Sequence, residues 1–246
     1  MAQKTPSIQR ITLPHIGEID PVVLAPMSGT TDKPFRKLAR KLGADLLVTE
    51  MVASDALLRE VKDSKKLSTP VWDESPVSVQ LAGYEPELMA LATKVAIDRG
   101  ADIVDVNFGC PAKKVTSKAS GSALMRDEPR AIAILEAVAK ASSVPVTVKM
   151  RLGWDDTSHN APILAKVAED LGFCLVVVHG RTRCQFYKGE ADWQAVAATA
   201  EVLSVPLLVN GDIQNLDTAR QALAQSGADG VMVGRGAQGR PWVLRD

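Results

Sequence analysis

Aromatic residues are scarce in this chain, at 4% of 246 positions. A core must then be built from Val, Leu, Ile and Ala, and a 46% hydrophobic content supplies them. Net charge is missing as well, since Lys+Arg and Asp+Glu both number 29. No global basic field announces a nucleic acid, although a local patch can still steer one. Cysteine is rare. The three residues (Cys110, Cys174, Cys184) form no C-x-x-C pair and show no metal-ligand spacing, so no metal is expected. An odd count without a recognisable signal peptide argues for a reducing cytoplasm. No apolar run approaches the roughly 20 residues of a membrane span, so no membrane partner is expected. Low-complexity segments and internal linkers are also absent, which predicts one domain over residues 1–246.

Strand-like and helix-like segments alternate along the whole chain. Strands are predicted at Val22–Pro26, Leu46–Glu50, Val77–Leu81, Ile103–Asn107, Val146–Met150, Leu175–His179, Leu207–Asn210 and Gly230–Val233. Helices are predicted at Pro34–Leu42, Pro86–Arg99, Arg130–Ala141, Ala161–Leu171 and Thr218–Gln225. Gly-Ala and Val-Pro pairs, such as Gly100-Ala101 and Val144-Pro145, precede several strands. Glycine past a helix end and proline at a strand's first residue suit those boundaries. Eight strands alternating with helices point to a parallel (β/α)8 barrel, the TIM-barrel class, with a doubly wound open sheet as its rival. About 250 residues is the usual barrel length. The first twenty residues read as a lead-in.

Buried parallel strands should be apolar on both faces. Here polar residues recur at alternate positions near the strand ends: Asp105 with Asn107, and Thr147 with Lys149 and Arg151. Side chains alternate with period two, so each set faces one way, into the barrel. The last inward positions around the ring are Glu50, Gln80, Asn107, Lys149, His179 and Asn210. Six convergent polar termini predict a ligand site at the C-terminal rim. Asn210-Gly211-Asp212 and Gly234-Arg235-Gly236 end strands seven and eight, the usual phosphate-binding loops of such barrels. Lys149 has two readings: a Schiff-base amine, or a cation beside an electron-rich cofactor ring. His179-Gly180-Arg181-Thr182-Arg183 with Gln185, Tyr187 and Lys188 forms a basic and aromatic patch, suited to phosphates and to base stacking.

Asn107-Phe108-Gly109-Cys110-Pro111 puts a cysteine where strand four becomes a lysine-rich loop (Lys113, Lys114, Lys118). A thiol on that rim can act as nucleophile or acid. An ordinary thiol is mostly protonated at neutral pH, which favours the acid. Residues 111 to 126 carry Gly121 and four basic residues, and read as a mobile lid bearing Cys110.

These segments resemble the bacterial tRNA-dihydrouridine synthases, in particular their B-type branch. The matching stretches are Leu24-Ala25-Pro26-Met27, Val79-Gln80-Leu81-Ala82-Gly83, Asp105-Val106-Asn107-Phe108-Gly109-Cys110-Pro111, Val148-Lys149-Met150-Arg151, His179-Gly180-Arg181-Thr182-Arg183, Asn210-Gly211-Asp212 and Gly234-Arg235. They run in order along nearly the whole chain. Ser28 stands where the family often has Ala, and Phe108 where the B branch often has Met. The resemblance implies an FMN oxidoreductase that uses NADPH as reductant and tRNA as substrate. Hydride would pass from the flavin to uracil C6, and Cys110 would protonate C5. Pro26, Met27, Ser28, Gln80, Lys149, His179, Asn210, Gly211, Asp212, Gly234 and Arg235 would hold the flavin. Asn107, Arg151, Arg181 and Arg183 would position the uridine and its RNA. Family members continue beyond strand eight through a last barrel helix into a helical tRNA-binding domain. The chain is therefore expected to lack both, and to leave strands one and eight short of apolar cover. Alternatives are an FMN dehydrogenase of a free pyrimidine (dihydroorotate or dihydropyrimidine type), a non-catalytic RNA-binding barrel fragment, and a Schiff-base lyase using Lys149.

Overall fold

The computed structural model describes residues 9–63 and 75–245. Eight parallel strands close into a barrel: β1 (Val22–Leu24), β2 (Leu47–Val48), β3 (Val77–Ala82), β4 (Ile103–Phe108), β5 (Val146–Arg151), β6 (Leu175–His179), β7 (Leu207–Asn210) and β8 (Gly230–Val233). Each pairs with its sequence neighbours, and β8 pairs with β1 through Val231↔Val22 and Val233↔Leu24. That last pairing closes the sheet and removes the open-sheet alternative. The expected strands are all present, although β2 keeps only two of its five predicted residues as strand.

Helices cover the outside where their end signals predict them. In α1 (Lys33–Lys41) Asp32 caps the first turn by accepting from Phe35 N, and Pro34 sits where its missing N–H costs nothing. The helices α3 (Pro86–Asp98), α5 (Glu128–Ala141), α6 (Ala161–Asp170) and α8 (Leu216–Ser226) follow β3, β4, β5 and β7. A reciprocal Asn215–Thr218 capping box starts α8, and Gly227 ends it at φ +67°, a left-handed conformation that favours glycine. Three short helices escape the sequence pattern: α2 (Ser54–Asp63), α4 (Lys113–Thr116) and α7 (Ala197–Ala200).

Two apolar layers result. Outward-facing strand residues such as Val104, Val106 and Phe108 pack under the helices. Inward-facing Val23, Val48, Ile103, Leu175, Val177, Leu208 and Met232 fill the lower barrel. The expected lead-in has a definite role. Ile11–Leu13 and Gly17–Ile19 form an antiparallel hairpin, and Ile11, Leu13 and Ile19 join the inward cluster. The hairpin therefore stoppers the N-terminal end of the barrel. Residues 1–8 lie outside the described residues. The expected loss of cover over β1 and β8 does not occur. Leu24, Val231 and Val233 are buried in one cluster with Ala237 and Leu244 from the 3-10 turns after β8. No described helix is long and apolar enough to cross a membrane.

Candidate active site

Pairing register decides which polar residues meet. Gln80 lies opposite Asp105, Asp105 opposite Thr147, Asn107 opposite Lys149, Arg151 opposite His179, and His179 opposite Asn210. All of these residues are buried. Above them opens a cavity of about 660 Å³ at the C-terminal rim. Pro26, Met27, Ser28, Gln80, Asn107, Cys110, Lys149, Arg151, His179, Asn210, Gly211, Asp212, Gly234 and Arg235 line it.

A chain of hydrogen bonds runs from the barrel centre to the rim. Asp105 Oδ1 accepts from Thr147 Oγ1 and its Oδ2 from Gln80 Nε2, both at 2.6 Å. Gln80 Oε1 accepts from Asn107 Nδ2 at 2.6 Å. Asn107 Oδ1 then accepts from the backbone N–H groups of Gly109 (3.1 Å) and Cys110 (2.9 Å). Each orientation follows from the one before it. The Asp105 oxygen accepts, so Gln80 turns its amide nitrogen inward. Gln80 then offers Asn107 an oxygen, and Asn107 is left with an oxygen facing the Cys110 backbone. The carboxylate thereby sets where the cysteine sits, two amides away. Burial raises the Asp105 pKa from 3.8, against the hydrogen bonds of Gln80 and Thr147 and the charge of Lys149.

Lys149 is 9% exposed, and among the described residues no carboxylate lies within 4 Å of its ammonium. Burial, reinforced by Arg151, lowers its pKa to about 8, with Asp105 and Cys110 pulling the other way. A cation held at such a cost, aimed into a cavity, suits an anionic ligand. Arg151 is braced rather than free. Its Nε donates to Gly109 O and its NH1 to Thr182 O and Phe186 O, each at 2.8 Å. Burial lowers its pKa to about 10.

His179 is held well below its ordinary 6.5, first by burial and then by Lys149, Arg151, Arg181 and Arg235. A guanidinium only donates, so the 3.2 Å contact of Arg181 NH1 with Nε2 makes that nitrogen the acceptor. The neutral ring therefore carries its proton on Nδ1. Arg181 also donates to Lys188 O and Gly189 O, and forms an ion pair with Asp212. Asp212 Oδ1 accepts from Arg235 as well. Gly211, at φ +115°, lets this turn pass close to His179. A Cβ there would come within 3.0 Å of the imidazole.

Two expected RNA residues stand elsewhere. Arg181 is 1% exposed and off the cavity wall, a strut between His179 and Asp212. Arg183 is off the wall too, stacked on Trp154 at 4.7 Å. Glu50, expected at the rim, is off the cavity lining; it accepts from Gly29 N and so braces the loop whose Ser28 and Thr30 do line the cavity. The segment 111–126, expected as a mobile lid, carries regular structure and a tie to Cys110. It contains α4 and a 3-10 helix (Gly121–Arg126), and Ser122 donates from both N and Oγ to Cys110 O at 3.1 and 2.9 Å. Thr30, Met51, Gln214, Gln238 and Arg240 also line the cavity and were missed as site residues. They sit in loops whose sequences carry no periodic signal.

Comparison with known proteins settles the family. The description Dihydrouridine synthase (Dus) matches residues 23–246. The chain belongs to the dihydrouridine synthase family. It is similar to a probable tRNA-dihydrouridine synthase of Rickettsia bellii, at 55% identity over 91% of this chain and 69% of that protein. A namesake from Rhizobium leguminosarum bv. phaseoli is 57% identical over 90% and 69%. The tRNA-dihydrouridine synthase B of Pseudomonas aeruginosa is 47% identical over 92% and 68%. In this member of the family Cys110 stands on a rim whose floor is two amides and a buried lysine. Among the described residues, no group of three or more His, Cys, Asp or Glu is placed to hold a metal.

Proposed function

We propose that this chain is the FMN-dependent catalytic barrel of an oxidoreductase that reduces uridine in tRNA to 5,6-dihydrouridine in the cytoplasm, with NADPH as reductant. The observation that carries this reading is the shared cavity of Cys110, the Gln80–Asn107 amide pair and the uncompensated Lys149. The residues fit a flavin mononucleotide. Ala25, Pro26 and Met27 give one wall an apolar surface, and Gln80 offers its amide from the floor. Lys149 supplies positive charge with no carboxylate in ion-pair contact among the described residues, Asp105 offsetting its burial only in part. Gly211, Gly234, Gly236 and Arg235 give open backbone and a guanidinium for a phosphate.

When bound and reduced, FMN would supply the hydride that adds to uracil C6. The chain's residues do the rest. Lys149, still protonated at neutral pH, favours a negatively charged ring edge. His179, neutral with its proton on Nδ1, stays a hydrogen-bonding group rather than a proton source. Cys110 delivers a proton from its thiol to C5, held in place by the Asn107 oxygen beneath its backbone. The uridine must leave its stack to reach the cavity, costing a few kcal/mol. The test is a visible spectrum of the purified chain, followed by NADPH without oxygen and then an unmodified tRNA transcript. A flavin spectrum that bleaches and is reoxidised by RNA, with dihydrouridine formed, supports the proposal. A protein that neither carries nor takes up FMN refutes it.

One observation favours a second reading. A lysine at pKa about 8 is what imine formation requires. Borohydride trapping of a carbonyl substrate on Lys149 would support it, and the same treatment leaving the chain's mass unchanged would eliminate it.

A further inference from the structure

We propose that Arg126, Trp154 and Arg183 form a phosphate clamp for the RNA strand, beside the cavity and distinct from it. This inference rests on the tRNA reading above. Three successive loops at the C-terminal rim supply the parts. Arg126 ends the 3-10 helix after β4, Trp154 follows β5, and Arg183 follows β6. Both guanidiniums lie against the same indole, Arg126 at 4.2 Å from a ring centroid and Arg183 at 4.7 Å. Cation–π attraction explains why each stacks. It does not explain why two like charges are brought to one ring.

Neither charge is compensated. Among the described residues neither guanidinium has a carboxylate within 4 Å or donates a side-chain hydrogen bond, and Arg183 Nε is buried without a partner. The acids nearest in sequence are occupied or remote. Asp127 caps α5, Glu128 accepts from Asn160, Asp155 accepts from Thr157 and Ser158, and Asp156 is exposed. A guanidinium carries five N–H donors, and stacking leaves its edge available. Both edges project from one indole, and a guanidinium edge matches the oxygens of a phosphodiester. The indole already carries both guanidiniums, so the ligand chemistry indicated is phosphate, not base stacking.

The clamp is also rigid. Arg183 N donates to Gly153 O at 3.0 Å and Cys184 N to Trp154 O at 2.9 Å, strapping the two loops together. Gly153 permits this fold of the loop, because a Cβ there would lie 1.7 Å from Ser158 O. The 3-10 helix that ends at Arg126 begins where Ser122 donates to Cys110 O. The clamp is therefore tied to the rim segment that carries Cys110. A strand gripped there would lie on the same C-terminal rim as the cavity.

The experiment is binding of an unmodified tRNA transcript to the flavin-loaded chain over a range of salt, with the double variant Arg126→Ala/Arg183→Ala. NADPH bleaching of the flavin and the melting temperature are recorded alongside. The clamp predicts a slope of log K against log [salt] shallower by about 0.7–0.9, the share of one lost phosphate contact. It also predicts roughly tenfold weaker binding near 0.1 M salt with flavin bleaching unchanged. Arg126→Lys/Arg183→Lys should restore most of the slope but not all of the affinity, since lysine keeps the charge without the planar fork. An unchanged slope, with or without a lower melting temperature, overturns the clamp and leaves a loop staple. Binding needs no turnover. A wild-type chain that binds the transcript without reducing it would sink the proposed reaction while the slope still decides the clamp. A wild-type chain that does not bind the transcript overturns the clamp.

Discussion

Replacing Lys149 with methionine should make the ligand-free protein more stable, not less. Methionine keeps a long apolar stem and removes the charge. The ammonium is buried, and its pKa falls from 10.5 to about 8. At 1.36 kcal/mol per unit, that depression costs the folded state about 3 kcal/mol while the lysine is charged in both states. The sign follows from linkage. Below pH 8 the full cost is present. Between pH 8 and 10.5 the folded lysine loses its proton while the unfolded one keeps it, so the cost drains away. Lys149→Met should therefore raise the melting temperature by on the order of 5–10 °C at pH 7. The gap from wild type should narrow steadily between pH 8 and 10.5. Thermal melts of ligand-free protein at pH 7, 8, 9 and 10 measure it. A variant no more stable at pH 7, or a gap that ignores pH, would refute the account of Lys149 as an uncompensated cation. The same variant should bind FMN more weakly, since an anionic ring edge is what would offset the burial.

Cys110→Ala should retain flavin bleaching by NADPH and lose dihydrouridine formation by roughly 10²–10⁴-fold, the usual worth of a positioned acid, as read by product analysis of treated tRNA. Asp105→Leu leaves the Gln80 amide nitrogen without its acceptor. It should cost about 1–3 kcal/mol in a denaturant melt and change the iodoacetamide reactivity of Cys110, whereas Thr147→Val should leave that reactivity near wild type. His179 should show no imidazole titration between pH 6 and 8 by NMR, because burial and four cations keep it neutral; an inflection in that window would contradict the Nδ1–H assignment. Leu13→Ala, in the hairpin that stoppers the barrel, should destabilise by about 2–5 kcal/mol in the same melts.

The barrel was readable because its strands are apolar runs and its polar rim breaks them at alternate positions. Asp105, Asn107, Thr147 and Lys149 could be assigned to the interior from period two alone. The hydrogen-bond order among them could not, since it depends on cross-strand register, which is visible only once β3, β4 and β5 are paired. Arg181 shows the limit most clearly. On the strand-six loop it reads like Arg183, a basic residue in a basic patch. Asp212 lies 31 positions away in sequence, and the ion pair that buries Arg181 is invisible until β6 and β7 lie side by side. The N-terminal hairpin escaped because Ile11–Leu13 and Gly17–Ile19 are too short to show alternation. Its apolar residues matter only through the barrel floor that they fill.

That floor has a kinetic meaning. Among the described residues Ile11, Leu13 and Ile19 pack into the lower barrel, so Lys149 and Cys110 are approached from the C-terminal rim. A dinucleotide reductant and an extruded nucleotide aimed at the same face of one ring would have to take turns. The reaction would then be ping-pong: the reductant's product leaves before RNA enters, the enzyme stores two electrons in the interval, and each substrate in excess inhibits the half-reaction of the other.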